Sequence, residues 1–302
     1  MRSIPMSRRG FTMIELLVAL VLLGIVSTAI YRVLVNNQRL YMAQTQRIDL
    51  SQNIRAANTI LSAEFRELDA FDGDIVAMGP DSVVIRGMRW LSFVCVPPVL
   101  SGVNAGNQMT IRGRQVGDPM FFGSRYINET TDSLLIYLDG NQTTRLDDYY
   151  VPARLSATPG NQQCPAVGAV PAQPGTRIVF DGNFIAGTNI AGAITVGAPV
   201  RGFERVKYRL YQPSGDTSWY VGFQPGGQTI QPLIGPLLTN GLTFQYFNAA
   251  GAVTAVRTQV ARIDVTVRAR TTAQVRAGGQ AARRAIVDSI TFSVALRNNR
   301  RF

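Results

Sequence analysis

The stretch Arg8-Arg9-Gly10-Phe11-Thr12-Met13-Ile14-Glu15-Leu16-Leu17 decides how this chain is read. A short basic leader ends at a glycine, and an apolar segment starts at once. From Phe11 to Ile30 there are twenty residues, enough for about 30 Å of helix, the thickness of a bilayer core. One acid interrupts that run. Glu15 is followed only by apolar or small residues until Tyr31. An acid deep in a membrane helix costs roughly 2.5–3.5 kcal/mol. Near the helix end the cost is lower, and it returns when helices bundle away from the headgroups. A cation at a neighbouring helix N-terminus would offset it. Cleavage between Gly10 and Phe11 creates such a cation, the new α-amine.

Other readings of this segment compete. Ser7-Arg8-Arg9-Gly10-Phe11 fits the start of a twin-arginine export signal. Ser27-Thr28-Ala29 offers a small-x-small cleavage site for an ordinary secretory signal. A plain single-pass anchor with an incidental Glu15 is the third. None of them accounts for the order Gly-Phe-Thr-x-Ile-Glu. Arg2, Arg8 and Arg9 precede the span without an intervening acid, so the N-terminus is expected in the cytoplasm and the rest exported. Arg32 and Arg39, beyond the span, oppose this weakly.

These residues resemble the type IV pilin signal: basic leader, Gly, Phe, Thr, a large apolar residue, Ile or Leu, Glu, then a long apolar helix. The resemblance covers residues 8–35. It implies cleavage after Gly10 by a membrane prepilin peptidase, N-methylation of Phe11, and pairing of Glu15 with the Phe11 amine of an adjacent subunit during filament assembly. The leader charge is carried by Arg8 and Arg9. Implied partners are other pilin or pseudopilin subunits, the peptidase/methylase, an inner-membrane assembly platform and membrane lipid. The implied place is the cytoplasmic membrane, single-pass, with entry into an extracellular or periplasmic filament.

Composition bounds the remainder. The chain has 302 residues, 46% hydrophobic and 16% charged, which permits a sizeable core. It contains no histidine, which removes a histidine base, a Ser-His-Asp triad and histidine metal ligands. Asp147-Asp148 and Asp72/Asp74 are paired acids in turn-like segments, where acids are usually solvated, so no enzyme activity and no cofactor or metal are expected. Cys95 and Cys164 have no CxxC spacing. In an oxidising compartment they can form one disulfide; two buried free thiols are the alternative.

Net charge is +11, and residues 151–302 carry all of it. Arg257, Arg262, Arg268, Arg270, Arg283 and Arg284 are the candidate basic surface. Such a surface suits nucleic acid, anionic lipid or an acidic partner. Arginines on solvated strand faces are the plainer reading, since stacking aromatics are sparse there.

The helix is expected to continue past the membrane, because residues 35–68 contain no Gly or Pro. Leu34, Tyr41 and Ile48 recur seven apart. Ile54, Ala57, Leu61, Phe65 and Leu68 then form a stripe that should pack on a sheet. Asp72-Gly73 is the expected stop, giving a helix of roughly 60 residues with Gly24 as a soft point. Beyond it the pattern turns β. Gly79-Pro80-Asp81 and Asp139-Gly140-Asn141 mark hairpins. Residues 100–132 look irregular, 156–176 read as a Pro/Gly-rich loop, and Gln231–Pro236 as a connector. Residues 206–211, 218–223, 242–247, 261–270 and 289–297 read as strands.

The expected fold class is therefore α+β: a long N-terminal helix packed on an antiparallel β-rich head. Its segments are leader 1–10, transmembrane half 11–35, amphipathic half 36–72, first β part 73–155, loop 156–176 and basic β part 177–302. The element order is similar to that of larger minor pilins and pseudopilins of the PilW and GspJ kinds. The expected function is a structural minor subunit of a type IV pilus-like filament or type II secretion pseudopilus. A major pilin, a nucleic-acid-binding pilin for DNA uptake and an exported anchored binding protein are the alternatives.

Overall fold

The computed structural model describes residues 12–98, 107–140, 143–144, 148–158, 160–181, 193–275 and 282–297. One helix, α1, runs from Met13 to Arg66. Its first part is apolar enough to cross a membrane and is not buried by the rest of the chain. Gly24 does not interrupt it: the Thr28 hydroxyl donates to the Gly24 carbonyl at 2.8 Å inside an unbroken helix. The helix stops at Arg66, earlier than Asp72-Gly73. Asp69 takes over there, its carboxylate accepting the backbone N–H groups of Phe71 and Asp72 at 2.9 and 3.2 Å. This local turn competes with helix, as short acidic side chains do. Gly73 completes it with φ +81°, a conformation that favours glycine.

The strands are β1 Ile75–Met78, β2 Ser82–Val96, β3 Gln108–Arg112, β4 Phe122–Gly123, β5 Asp132–Leu138 and β6 Tyr149–Ala157. They continue as β7 Asn161–Cys164, β8 Gln173–Phe180, β9 Pro199–Tyr211, β10 Trp219–Pro225, β11 Gln231–Phe247, β12 Arg262–Arg270 and β13 Val287–Ala295. Among the described residues the order is β1-β2-β3-β8-β6-β5-β9-β10-β11-β12-β13, with β4 on β2, β7 on β8, and a further β2–β9 pairing. Among the described residues the strands pair antiparallel, including the expected hairpins β1–β2 (Met78↔Val83) and β5–β6 (Leu138↔Tyr149).

Three expectations of irregular chain give way to strand. Residues 108–112 form β3, with Met109 and Ile111 buried. Residues 156–176 contain β7 and the start of β8. β7 is exposed except for Cys164, so its polar residues give no apolar pattern to read. Gln231–Pro236 is the first part of β11. Its Pro and Gly are accommodated because the β10–β11 ladder shifts register there.

The chain divides into two compact units, Met1–Gln52 with Arg270–Val287, and Asn53–Ala269 with Asp288–Phe302. In the second, the helix stripe is the core. Ile54, Ala57, Leu61, Phe65 and Leu68 are all buried. The Phe65 ring meets Tyr208 of β9 edge-on at 6.0 Å and Phe244 of β11 at 5.9 Å. Strand faces alternate as expected: Ile263, Val265 and Val267 are buried on β12. A second buried cluster centres on Trp90, with Phe121, Ile136, Ile178 and Val200. Gly202 pairs directly opposite Trp90 on β9, and a Cβ there would fall 1.9 Å from the indole.

Cys95 of β2 and Cys164 of β7 form a disulfide, with Cα atoms 5.5 Å apart. It closes a segment of 69 residues. Constraining a loop of that length in the unfolded chain stabilises by roughly 4 kcal/mol.

Removing the Phe65 ring should cost about 3–5 kcal/mol, because it leaves a cavity against two aromatic neighbours. Phe65→Ala in the detergent-solubilised chain should therefore unfold at clearly lower denaturant concentration; an unchanged midpoint would refute the packing described.

Candidate functional site

The site begins where the helix begins. Arg8, Arg9, Gly10 and Phe11 lie outside the described residues. Thr12 and Glu15 are described, and they form a loose reciprocal cap. The Glu15 backbone N–H donates to the Thr12 hydroxyl at 3.3 Å. The Thr12 backbone N–H points at a Glu15 carboxylate oxygen at 3.5 Å. Thr-x-x-Glu is a capping-box signature, so Thr12 could have been found from spacing alone. Helical side chains lean toward the N-terminus, which brings the carboxylate back to the residue that follows Phe11. The helix dipole favours a negative charge in this first turn.

Around this acid the helix is apolar and exposed. Met13, Ile14, Leu16, Leu17 and Leu20 all present more than half their surface. A carboxylate at the start of an exposed apolar helix can receive a cation brought by another such helix. It also has a local role, because it holds the first turn of its own helix.

The candidate basic residues divide between the two units. Arg257 belongs to a 3₁₀ turn, Arg257–Gln259, and donates to the backbone carbonyl of Val76 in β1. Arg262 pairs with Asp264 at 3.0 Å and lies over the Phe247 ring at 4.1 Å. Arg268 donates to the Asn240 carbonyl at 3.0 Å. These three are engaged with their own neighbourhood in the second unit. Arg270, Arg283 and Arg284 belong to the first unit.

The paired acids differ from expectation. Asp74 is buried rather than solvated. It accepts the Asp69 backbone N–H at 2.9 Å and lies 3.6 Å from Arg201. Burial holds its carboxyl above the ordinary value, against the opposing pull of Arg201 and Arg86; burial does the same to Asp69. Asp147 lies outside the described residues.

A larger ionic cluster joins helix to sheet. Arg89 of β2 bonds Glu64 of α1 at 2.8 Å and Glu204 of β9 at 3.2 Å. Arg125 pairs with Asp132 and reaches the same Glu204 at 3.3 Å. The Trp90 indole N–H donates to Asp132 at 3.0 Å. Sequence reading missed this cluster, since its members are far apart in the chain and carry no spacing signal. Each described carboxylate in it is occupied by a guanidinium, so it serves structure. Among the described residues no group of His, Cys, Asp and Glu is placed to hold a metal.

Residues 5–31 match the family described as the prokaryotic N-terminal methylation motif. The match spans the end of the leader and the first turns of α1, the same segment that presents Glu15 on an exposed apolar helix. The chain thus carries a type IV pilin-like prepilin signal, on a single helix able to anchor it in a membrane. No curated protein and no solved structure matches the chain.

The acid Asp74 sets a pH dependence. With its folded value raised above the ordinary 3.8, the stability it contributes is fully present below 3.8 and is lost as pH rises through the folded value. Asp74→Asn cannot ionise. The stability advantage of wild type over this variant should fall as pH rises from about 3.8. Denaturant titrations of both proteins across that range measure it, and a pH-independent difference would contradict the burial argument.

Proposed function

We propose that this chain is a structural minor subunit of a type IV pilus-like filament machine and not an enzyme. In this reading a prepilin peptidase removes residues 1–10 on the cytoplasmic face, and Phe11 becomes the methylated N-terminus. The apolar half of α1 holds the subunit in the membrane with its β head exported. The same helix then leaves lipid to join other subunits. Glu15 pairs with the Phe11 amine of a neighbour, which removes the cost of an acid inside a helix bundle.

The observation that carries this reading is the methylation motif laid over the exposed apolar half of α1, where the only acid between residues 12 and 35 is Glu15, in the first turn. Nucleic-acid binding is less well supported, since Arg257, Arg262 and Arg268 are each engaged within the head.

N-terminal sequencing of the mature protein should begin at methylated Phe11; a start at Ile30 would overturn the reading. The two roles of Glu15 separate by substitution. Glu15→Gln keeps an oxygen for the cap but removes the charge, whereas Thr12→Ala removes the cap and keeps the charge. Filament incorporation should fall several-fold for Glu15→Gln and Glu15→Ala alike, with membrane insertion intact. Thr12→Ala should cost about 1 kcal/mol of helix start and leave most incorporation in place. Normal incorporation of Glu15→Gln would remove the amine-pairing role.

A further inference from the structure

The first unit contains a groove that plays no part in the function proposed above. The chain between β12 and β13 forms an arm beside the middle of α1. Thr271 N–H donates to the Ile286 carbonyl at 2.9 Å, and Val275 and Arg284 exchange two backbone hydrogen bonds at 3.0 and 3.1 Å. The arm is fixed to the helix by the Ala273 N–H, which donates to the Gln46 side chain at 3.1 Å. Between arm and helix lies a groove of about 310 Å³. Tyr41, Met42 and Val275 give it an apolar wall, and Arg39 and Arg283 stand on its lining.

The charge around this groove is one-sided. Within the described part of the unit beyond the span, Arg32, Arg39, Arg47, Arg270, Arg283 and Arg284 face only one acid, Asp49. Among the described residues, neither Arg39 nor Arg283 has an acidic partner. Two unpartnered guanidinium groups over an apolar wall fit a ligand with an anionic phosphate and an apolar body.

Position selects among such ligands. Arg39 is nine residues past Ile30, so its backbone rises roughly 13 Å beyond the hydrocarbon edge of an upright helix. Helical side chains lean toward the N-terminus, which here is the membrane side. An extended arginine brings its guanidinium back by about half that distance, into the headgroup layer, about 5–7 Å thick on each side. The arm runs the same way, since Ala273 lies against Gln46 while Arg283 shares the groove with Arg39.

We propose that this groove binds the headgroup of an anionic phospholipid on the exported side of the membrane. Arg39 and Arg283 take the phosphate, and Tyr41, Met42 and Val275 cover the glycerol end of the acyl chains. The inference rests on the helix being a membrane anchor and not on filament assembly.

Native mass spectrometry of the full-length protein, released from micelles doped with phosphatidylglycerol or phosphatidylcholine, tests it. Wild type should retain phosphatidylglycerol in preference to phosphatidylcholine. Arg39→Gln/Arg283→Gln should lower phosphatidylglycerol retention roughly ten-fold or more. Arg39→Lys/Arg283→Lys should keep most of it. Arg55→Gln/Arg154→Gln, which removes the same charge elsewhere, should leave it unchanged, as should the leader arginines common to all four proteins. Equal loss in the Arg55/Arg154 variant, or no preference for phosphatidylglycerol, would overturn the proposal. So would duplex DNA binding that Arg39→Gln/Arg283→Gln abolishes while lipid retention persists. Loss of filament entry with lipid retention intact would count against the assembly reading alone.

Discussion

The contact on which the head depends is the seating of one helix face on β9 and β11. Ile54, Ala57, Leu61 and Phe65 supply the apolar part of that seat, and Phe65 stands edge-on to two aromatic rings. Glu64, next to Phe65, supplies the polar part by pairing with Arg89, which also holds Glu204. Removing one partner from a buried pair costs more than the pair contributes, because the other charge is stranded. The cluster therefore specifies one seating of the helix more than it strengthens it. The apolar side chains of α1 from Met13 to Leu34 take no part in this seat and stay exposed.

The helix and its stripe were legible because a period of 3.6 is a local property, and so were β12 and β13, where every second residue is the more buried one from Ile263 to Ala269 and from Ile290 to Val294. The hairpins β1–β2 and β5–β6 carried their turn residues in plain view. What was not legible depends on distant partners. β7 shows no apolar alternation because only Cys164 is buried in it, and its disulfide partner lies in β2. β11 contains Pro and Gly that normally argue against strand, and the shift of register on β10 that admits them has no local sign. Asp74 reads as a solvated turn acid until the surrounding strands enclose it. The order β3-β8-β6-β5-β9 has no counterpart in sequence order at all.

At the N-terminus the balance is different. The prepilin-like signal was legible from residue order, because such a signal is a linear segment, and residues 5–31 match the methylation motif. The structure adds a second use for its acid. Glu15 is already engaged, loosely, with Thr12 at the start of its own helix. A contact this long is weak, so the carboxylate remains open to a stronger, charge-assisted partner.

The outer side of β1 has a consequence for how copies of this molecule meet. A sheet with open ends can grow by adding a strand from another chain, and an extended, regular edge invites it. β1 begins the strand order, but it is short, and its register shifts between Ile75 and Ala77. The carbonyl of Val76, at that irregularity, is taken by the Arg257 guanidinium. An arginine that looked like part of an interaction surface thus works as a stopper. It leaves this edge of the head with little to offer a second sheet.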